Sequence, residues 1–340
     1  MKEIHGSYAR DRLTVTTFSS GRFSYTLDPD YGRLPAGFDY LMFPSGCCDK
    51  DDNLFLTTRN LEHPIIMLDV DGTYVRDFGK GLFAQTHGIC VTPEGTLLCA
   101  DTALHVVREL STTGELIRTL GTPGKPSSSG YDADVWRRMQ RRGFMVPTDI
   151  AFSNQVSWMF YEGLLSIQRA AEPFNKPTGA CVAPNGDIYV SDGYGNAAVH
   201  RFSRDGKLIR TWGGPGHEPG KFIIPHSIWA DKYNRIWVGD REGNKINIFD
   251  ADGELIACVT EGLYQTTEIF ADETYIYVAE RGGGLTIFNM DMDIEVQLGY
   301  FNSPIRAHGM CGDSKGNLYL MPLTTYDYHY LMKLSPCRNV

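Results

Sequence analysis

Three of the nine histidines in the chain occupy the same place in a repeated stretch of sequence. His87, His226 and His308 each precede a short apolar segment, and a turn glycine or asparagine follows each of them eight positions later. Three neutral imidazoles can hold a divalent metal ion and leave a further coordination position open, as in catalytic zinc sites. Zinc suits such ligands, and manganese, iron, cobalt and nickel also accept them. We expect the other six histidines to be surface or structural residues.

A second register carries residues that can bind anions and move protons. Six positions after the turn residue, three units place an acid that we expect to tie blade turns together, whereas the first unit has Arg59 there. Tyr194 and Arg241 lie beside two of these acids, in the segments DGYGN and DREGN. An arginine can hold a carboxylate through two parallel hydrogen bonds, and a tyrosine can act as a general acid or base. Alternatively, Arg241 forms an ion pair between repeats and Tyr194 packs as an ordinary aromatic residue.

The repeat that positions these residues predicts the fold. Each unit of about 40 residues contains up to four short strands with alternating apolar residues, separated by Gly, Asn and Asp turns, which is typical of a β-propeller blade. The last unit ends after three strands, and the segment FSYTLD at 23–28 can supply the missing outer strand. We therefore predict an all-β, six-bladed propeller that forms a single domain over residues 1–340. The units cover 44–79, 87–121, 177–213, 225–259, 266–299 and 307–335.

Rotational symmetry brings the three histidines together in this fold. Aligned by their turns, the units place alternating residue types at the start of the innermost strand, which lies at the rim of the central channel. Because blades two, four and six are about 120° apart in a six-fold ring, their imidazoles converge on one point near the axis. The aligned residues are Ser45, His87, Thr178, His226, Thr267 and His308.

One segment interrupts the repeat. Residues 122–176, between the second and third units, have no blade pattern, and two parts of the segment have weak helical and amphipathic character. Insertions between repeats usually lie on one face of the ring, often the binding face. We interpret this partly helical insertion as a lid over the channel, with a surface elaboration or a dimer contact as the open alternatives.

Composition limits the kind of partner. The net charge of −9 argues against nucleic acid, which needs a positive surface, and the sequence contains neither a signal peptide pattern nor a membrane-spanning apolar run. Eight cysteines without CxxC spacing, several of them inside apolar strands, favour free thiols and a reducing cytoplasm. The negative net charge still leaves room for a local cationic site that binds a small anion.

The segments PTGACVAPNGDIYVSDGYGNAAVHRFSRDGKLIRTWG, PGKFIIPHSI and VGDREGNKINIF resemble NHL-repeat propellers, and within these the peptidyl-α-hydroxyglycine α-amidating lyases. The resemblance extends over about residues 37–335 apart from the insertion. It implies that three histidines, His87, His226 and His308, hold zinc. It also implies that Tyr194 is the catalytic tyrosine and that Arg59 and Arg241 are the active-site arginines.

The chain departs from the family pattern at three positions. Gly195 replaces the cysteine of the family's DGYC motif, so a disulfide typical of the secreted enzymes is lost. Gly309 replaces the acid after the third histidine, on which the family's structural calcium depends. Arg306 stands two residues before that histidine, where the family has an apolar residue, and we include it among the candidate substrate-binding residues. These changes indicate a small, anionic substrate.

The implied reaction is the cleavage of a carbinolamide, R–CO–NH–CH(OH)–COO⁻, into an amide and glyoxylate or a related aldehyde. In this scheme the metal activates the substrate hydroxyl, Tyr194 moves the proton, and Arg59, Arg241 and Arg306 hold the carboxylate. Two alternatives stay open. The first is a metal-dependent hydrolase of the lactonase or amidohydrolase type that activates a water molecule, and the second is a non-catalytic NHL interaction scaffold.

Overall fold

Twenty-five strands in the described residues form six antiparallel sheets around a central axis. The computed structural model describes residues 17–36, 38, 42–134, 160–299, 303–322 and 331–337. The chain begins with β1 (Thr17–Ser20) and β2 (Phe23–Asp28). Blade 1 contains β3 (Gly46–Cys48), β4 (Leu54–Thr57), β5 (Ile65–Leu68) and β6 (Tyr74–Phe78).

The next four blades repeat this order, and in each the first strand is innermost. Blade 2 contains β7 (Thr86–Val91), β8 (Thr96–Asp101), β9 (Val106–Ser111) and β10 (Leu116–Leu120). Blade 3 contains β11 (Gly179–Val182), β12 (Ile188–Asp192), β13 (Ala198–Phe202) and β14 (Leu208–Gly213). Blade 4 contains β15 (Pro225–Ala230), β16 (Ile236–Asp240), β17 (Lys245–Phe249) and β18 (Leu255–Val259). Blade 5 contains β19 (Thr266–Ala271), β20 (Tyr275–Glu280), β21 (Gly284–Asn289) and β22 (Ile294–Gly299).

Blade 6 joins the two ends of the chain. It contains β23 (Gly309–Gly312), β24 (Leu318–Met321) and β25 (Met332–Pro336), and β2 then pairs with β25. The prediction that residues 23–28 supply the outer strand is thus confirmed. β1 adds a fifth strand outside β2, which the sequence pattern did not predict. Closure of this kind covers the edge of β25, which would otherwise offer unpaired backbone groups.

Alternation along each strand fills the junctions on both sides of a blade. In β8, Leu97 and Cys99 pack toward blade 1, whereas Leu98 and Ala100 pack toward blade 3. The inner strands are therefore apolar on both faces, as expected of strands buried on two sides. The described residues form six apolar clusters, one at each junction between blades. The predicted six-bladed, all-β propeller is confirmed.

Acids at the ends of the second strands fix the entry into each blade. Asp101 accepts hydrogen bonds from the backbone N–H groups of Ala84 and Gln85, just before the inner strand of its own blade. Asp240 does the same for Ile223 and Ile224. As predicted, these acids form hydrogen bonds with the turns that lead into the blades. All of these groups lie at one end of the channel, which we call the upper end.

The described part of the insertion packs on the upper side of blades 3 and 4. A single helical turn and a half covers residues 160–165, and Leu164 and Ile167 join the cluster between these two blades. The first segment predicted to be helical, 134–142, lies almost wholly outside the described residues. No helix in the described part of the chain is long and apolar enough to cross a lipid bilayer.

Candidate metal centre and active site

Three imidazoles meet at the upper end of the channel. His87 lies in β7, His226 lies in β15, and His308 immediately precedes β23. Their ring centroids are 4.6–5.0 Å apart, and the candidate ligand atoms all lie within 4.8 Å of one another. The side chains are buried, with exposed fractions of 2%, 2% and 8%. The structure therefore brings the three histidines of the predicted column together.

A backbone carbonyl of the following blade orients each imidazole. The Nδ1 atom of His87 lies 2.6 Å from the carbonyl oxygen of Thr178, and that of His226 lies 2.7 Å from the carbonyl oxygen of Thr267. His308 makes the same contact at 2.8 Å with Pro44 of blade 1. Because a carbonyl oxygen only accepts, each Nδ1 carries the proton and each Nε2 keeps a free lone pair. Such hydrogen bonds fix the tautomer of metal-binding histidines.

Hydrogen bonds of Thr178 and Thr267 explain why threonine and histidine alternate among the aligned residues of the blades. The hydroxyl of Thr178 donates to the carbonyl oxygen of Pro225, which directly precedes His226, at 2.7 Å. The hydroxyl of Thr267 donates in the same way to Ala307, which directly precedes His308, at 2.7 Å. Each threonine thus accepts from the histidine of one neighbouring blade and donates to the strand that carries the next histidine. The threonines of the odd-numbered blades and the histidines of the even-numbered blades are therefore linked by hydrogen bonds.

The donor set fits a cation. The Nε2 atoms of His226 and His308 are 3.1 Å apart, and both are acceptors. Burial lowers the pKa of all three imidazoles below the ordinary value, and nearby arginine charges lower it further, to about 3 for His308. Neutral imidazoles that direct three lone pairs at one point are what a divalent metal requires. The metal and its identity remain predictions.

Tyr194 lies directly beside this cluster. Its hydroxyl oxygen is 3.0 Å from Nε2 of His87 and 2.8 Å from Nε2 of His226. Since the phenol has one proton for two acceptors, it can donate to only one of the two imidazoles at a time. Arg241 donates from Nη1 to the same oxygen at 3.1 Å. The phenolic oxygen therefore lies between two imidazole acceptors and one guanidinium donor.

Arg241 is fixed on its other side by an acid. Its Nε donates to both carboxylate oxygens of Glu242, at 2.9 and 2.8 Å, and both side chains are buried. Burial alone would lower the pKa of Arg241, but Tyr194 and Glu242 outweigh burial and raise it above the ordinary value. Arg241 thus stays charged at the cluster. The ion pair between repeats that was considered from the sequence is not found for Arg241 in the described part of the chain, because its partner is the adjacent Glu242 of the same repeat.

Arg59 approaches the same end of the channel from blade 1. Its Nη1 donates to the carbonyl oxygen of Thr86, the residue before His87, at 2.6 Å. Burial lowers the pKa of Arg59, and the charge of Arg59 in turn contributes to the lowered pKa values of His87 and His308. Arg306 is partly buried two residues before His308. Its part in substrate binding remains a prediction.

Close packing explains two of the departures from the resembled family. A side chain at Gly195 would place its Cβ 2.6 Å from the Oδ1 atom of Asn175, so a cysteine does not fit there. At Gly309 a Cβ would lie 2.5 Å from the carbonyl oxygen of Pro44, because blades 6 and 1 approach closely at this point. The acid that the resembled family has at this position does not fit, so position 309 supplies no carboxylate that could bind calcium. All eight cysteines are free thiols.

Two features of the site were not found from the sequence. Phe160 in the insertion lies with its ring centroid 5.8 Å from that of Tyr194, so the insertion reaches the site from blade 3. Glu268, deeper in the channel, accepts a hydrogen bond from Ser45 at 3.1 Å and lines a cavity of about 20 Å³. Burial raises the pKa of Glu268 to about 8. A carboxylate at an alternating strand position gives no signal that it faces a channel.

The sequence is similar to a propeller family model, to an NHL-repeat protein and to amidating enzymes. A family model described as 6-bladed beta-propeller matches residues 180–283. NHL repeat-containing protein 3 of Homo sapiens is 27% identical over 80% of this chain and 71% of its own length. Peptidyl-glycine alpha-amidating monooxygenase of Mus musculus is 30% identical over 56% of this chain but 16% of its own length. Peptidyl-alpha-hydroxyglycine alpha-amidating lyase 1 of Drosophila melanogaster is 28% identical over 67% of this chain and 36% of its own length.

Solved structures share the fold at lower identity. A streptogramin B lyase superimposes with a TM-score of 0.60 at 15% identity, over 94% of this chain and 100% of the lyase chain. A gluconolactonase of Xanthomonas campestris superimposes with a TM-score of 0.59 at 14% identity, over 96% of each chain. At these identities the likeness shows the six-bladed architecture and not the activity.

Proposed function

We propose that this chain, an NHL-repeat six-bladed β-propeller whose homologues include amidating lyases, is a metal-dependent lyase for a small carbinolamide that carries a carboxylate. The observation that carries the proposal is the cluster at the upper end of the channel. Three Nε2 lone pairs, one phenolic oxygen and one buried arginine meet there within hydrogen-bonding distance. No role in packing the blades requires this combination.

The three histidines supply the metal site. A divalent metal on His87, His226 and His308 would act as a Lewis acid toward the substrate hydroxyl. The carbonyl groups that accept from Nδ1 hold the rings in place before any metal binds, so little ordering is needed on binding. Zinc is the metal that we expect, since it is commonly bound by imidazole nitrogen.

The other residues of the site bind the substrate and move its proton. Arg59 and Arg241 can hold the carboxylate, which places the adjacent carbon and its hydroxyl next to Tyr194. Tyr194 takes the hydroxyl proton and returns it to the amide nitrogen as the C–N bond breaks and the C=O bond forms. The products are then R–CO–NH₂ and OHC–COO⁻, and no other reactant is consumed.

Metal content and product release together test this proposal. Purified protein should contain about one divalent metal per chain, and His226→Ala should lose the metal and the activity together. His217→Ala, at an exposed histidine outside the column, is the matched control and should keep both. The assay follows glyoxylate released from an N-acyl-α-hydroxyglycine. Stoichiometric metal without glyoxylate release would contradict the lyase assignment.

A hydrolase is the second candidate, since three protein ligands leave a position that a water molecule can occupy as well as a substrate hydroxyl. Release of acid from lactones, with no glyoxylate from hydroxyglycine derivatives, would favour this candidate. A non-catalytic scaffold is the third. It predicts purified protein without stoichiometric metal, because interaction surfaces do not need the inward-facing imidazoles.

A further inference from the structure

Arg281 lies at the upper end of the channel, at the position in blade 5 that Arg241 occupies in blade 4. We call the residue that lies one or two positions after the second strand of a blade its rim residue. The backbone N–H of this residue donates to a carbonyl oxygen in the segment that leads into the innermost strand. The acceptor lies two or three positions before the residue aligned with the histidines, such as Ser45 or Thr267. Four rim residues with functional side chains make this contact at 3.0–3.3 Å. They are Arg59, Tyr194, Arg241 and Arg281. Arg281 is the member for which neither the sequence nor the comparisons suggest a role.

The acid–arginine pair of blade 4 recurs in blade 5. Asp240 is the last residue of β16, and Arg241 follows it. In the same way, Glu280 is the last residue of β20, and Arg281 follows it. Glu280 accepts from the backbone N–H of Tyr264, just as Asp240 accepts from Ile223. The backbone therefore presents Arg281 at the same height on the rim as Arg241, one blade further round.

The side chain of Arg281 is available for a ligand. Arg241 is buried against Glu242 and Tyr194, whereas Arg281 is exposed and has no side-chain hydrogen bond or ion pair within the described residues. An exposed arginine on the axis-facing rim of a protein with net charge −9 is a local positive centre.

A single substrate carboxylate does not need three arginines, Arg59, Arg241 and Arg281, at the end of the channel. One carboxylate has two oxygens and is saturated by one or two guanidinium groups, which Arg59 and Arg241 can provide. We propose that Arg281 binds a second anionic group of the substrate, so that the substrate class is a carbinolamide with an acidic acyl tail. This inference rests on the proposed lyase function. The tail would extend from the three histidines toward blade 5, which carries Arg281.

Two substrates that differ only in the tail test the inference. N-succinyl-α-hydroxyglycine carries a second carboxylate, and N-butyryl-α-hydroxyglycine has a methyl group in its place. We expect the wild-type protein to prefer the succinyl substrate. Arg281→Gln should lower kcat/KM for it by about 10- to 100-fold through KM, and leave the butyryl substrate within about two-fold. Arg281→Lys should restore part of the preference, since it keeps the charge but loses the paired hydrogen bonds.

A matched control separates local binding from net charge. Lys207→Gln removes one positive charge from the turn between β13 and β14, at the lower end of the blade, and should leave both substrates unaffected. Equal loss for both substrates in Arg281→Gln, or no loss for either, would overturn the inference.

A binding measurement keeps this test independent of turnover. Calorimetry with glutarate and butyrate compares a dicarboxylate with a monocarboxylate in the absence of any reaction. We expect wild-type protein to bind glutarate more tightly and Arg281→Gln to lose that difference. If neither hydroxyglycine substrate is cleaved, the lyase proposal fails while this comparison still decides the role of Arg281. Equal affinity of wild-type protein for the two acids would contradict that role.

Discussion

Among the described residues, Tyr194 alone makes hydrogen-bond contacts with two of the three histidines and with an arginine. Its hydroxyl contacts two of the Nε2 atoms that would hold a metal, a position that the proposed role as proton carrier requires. Arg241 donates to the same oxygen, so the hydroxyl lies between one cationic donor and two imidazole acceptors. In the proposed reaction, the contacts of this single oxygen connect metal binding with proton transfer.

Replacing the phenol by a phenyl ring should separate these two functions. We expect Tyr194→Phe to keep its metal and to lower kcat by about 100- to 10,000-fold, because general acid–base catalysis contributes factors of this size. Metal analysis and steady-state kinetics on the same preparation check the result. Tyr233→Phe, at an exposed tyrosine, is the control and should change neither quantity. Full activity in Tyr194→Phe would end its assignment as the proton carrier.

Glu268 makes the stability of the protein depend on pH. Its pKa is raised from an ordinary value of 4.5 to about 8, because burial in the channel disfavours the charged carboxylate. Between these two values the folded protein keeps a proton that the unfolded chain has lost. This contribution to stability is complete at low pH and is lost as the pH rises toward the folded-state pKa, with a slope of at most about 1.4 kcal/mol per pH unit.

Glu268→Gln should therefore become more stable relative to wild-type protein as the pH rises. The amide is neutral throughout and can still accept from Ser45. Urea unfolding at about pH 5 and about pH 9 measures the difference in the free energy of unfolding between the two proteins. Glu261→Gln, at an exposed position, should show no such trend. A difference that stays constant with pH would mean that Glu268 is not protonated in the folded protein.

Sequence reasoning reached some of these residues and missed others for a physical reason. His87, Tyr194 and Arg241 were identified because their types and their register with the turns are visible in the chain. Glu268 was missed because its effect depends on the distance across the channel to Ser45, which alternation within one strand does not encode. Arg281 was missed because the fifth unit is shorter and its register less clear.

At the scale of the strands, the odd-numbered blades orient the histidines of the even-numbered ones. Thr267 shows this most simply, because its carbonyl oxygen accepts from His226 and its hydroxyl donates to the residue before His308. The alternation of threonine and histidine was predicted from the sequence. The hydrogen bonds behind it were not, since they involve backbone carbonyls, which every residue possesses.

Removing the hydroxyl of Thr267 should loosen this arrangement. We expect Thr267→Val to lower the free energy of unfolding by about 1–3 kcal/mol, since the buried carbonyl of Ala307 loses this donor, and to weaken metal binding through His308. Thr26→Val, at an exposed position of β2, should change stability by no more than about 0.5 kcal/mol. Unfolding and metal competition measure the two effects. An unchanged metal affinity would show that Thr267 does not position His308.

At the scale of the whole molecule, closure depends on two strands from the beginning of the chain. β2 covers the edge of β25, and Phe18, Tyr25 and Leu27 complete the cluster between blades 5 and 6. The repeat count and the role of 23–28 were predictable because each unit carries its own turns and alternation. β1 was not, because a four-residue strand of mostly exposed residues has little pattern.

Deleting residues 1–28 should open the ring. The truncated protein keeps three strands in blade 6 and exposes the edge of β25, so we expect a lower melting temperature and concentration-dependent association. A peptide of residues 17–28 added in trans should restore part of the stability, which distinguishes strand loss from general misfolding. Thermal unfolding and sedimentation measure these effects. A monomeric truncated protein with unchanged melting temperature would contradict this account of closure.

The threefold arrangement also sets when the metal centre can come into existence during synthesis. Its ligands are separated by more than two hundred positions in the chain, between His87 and His308, and the carbonyl that orients His308 belongs to Pro44. A nascent chain on the ribosome holds at most two of the three imidazoles until its last blade has emerged. A metal held by these three histidines would therefore be loaded only after most of the chain has been made, and a polypeptide interrupted before the sixth blade would lack the third ligand.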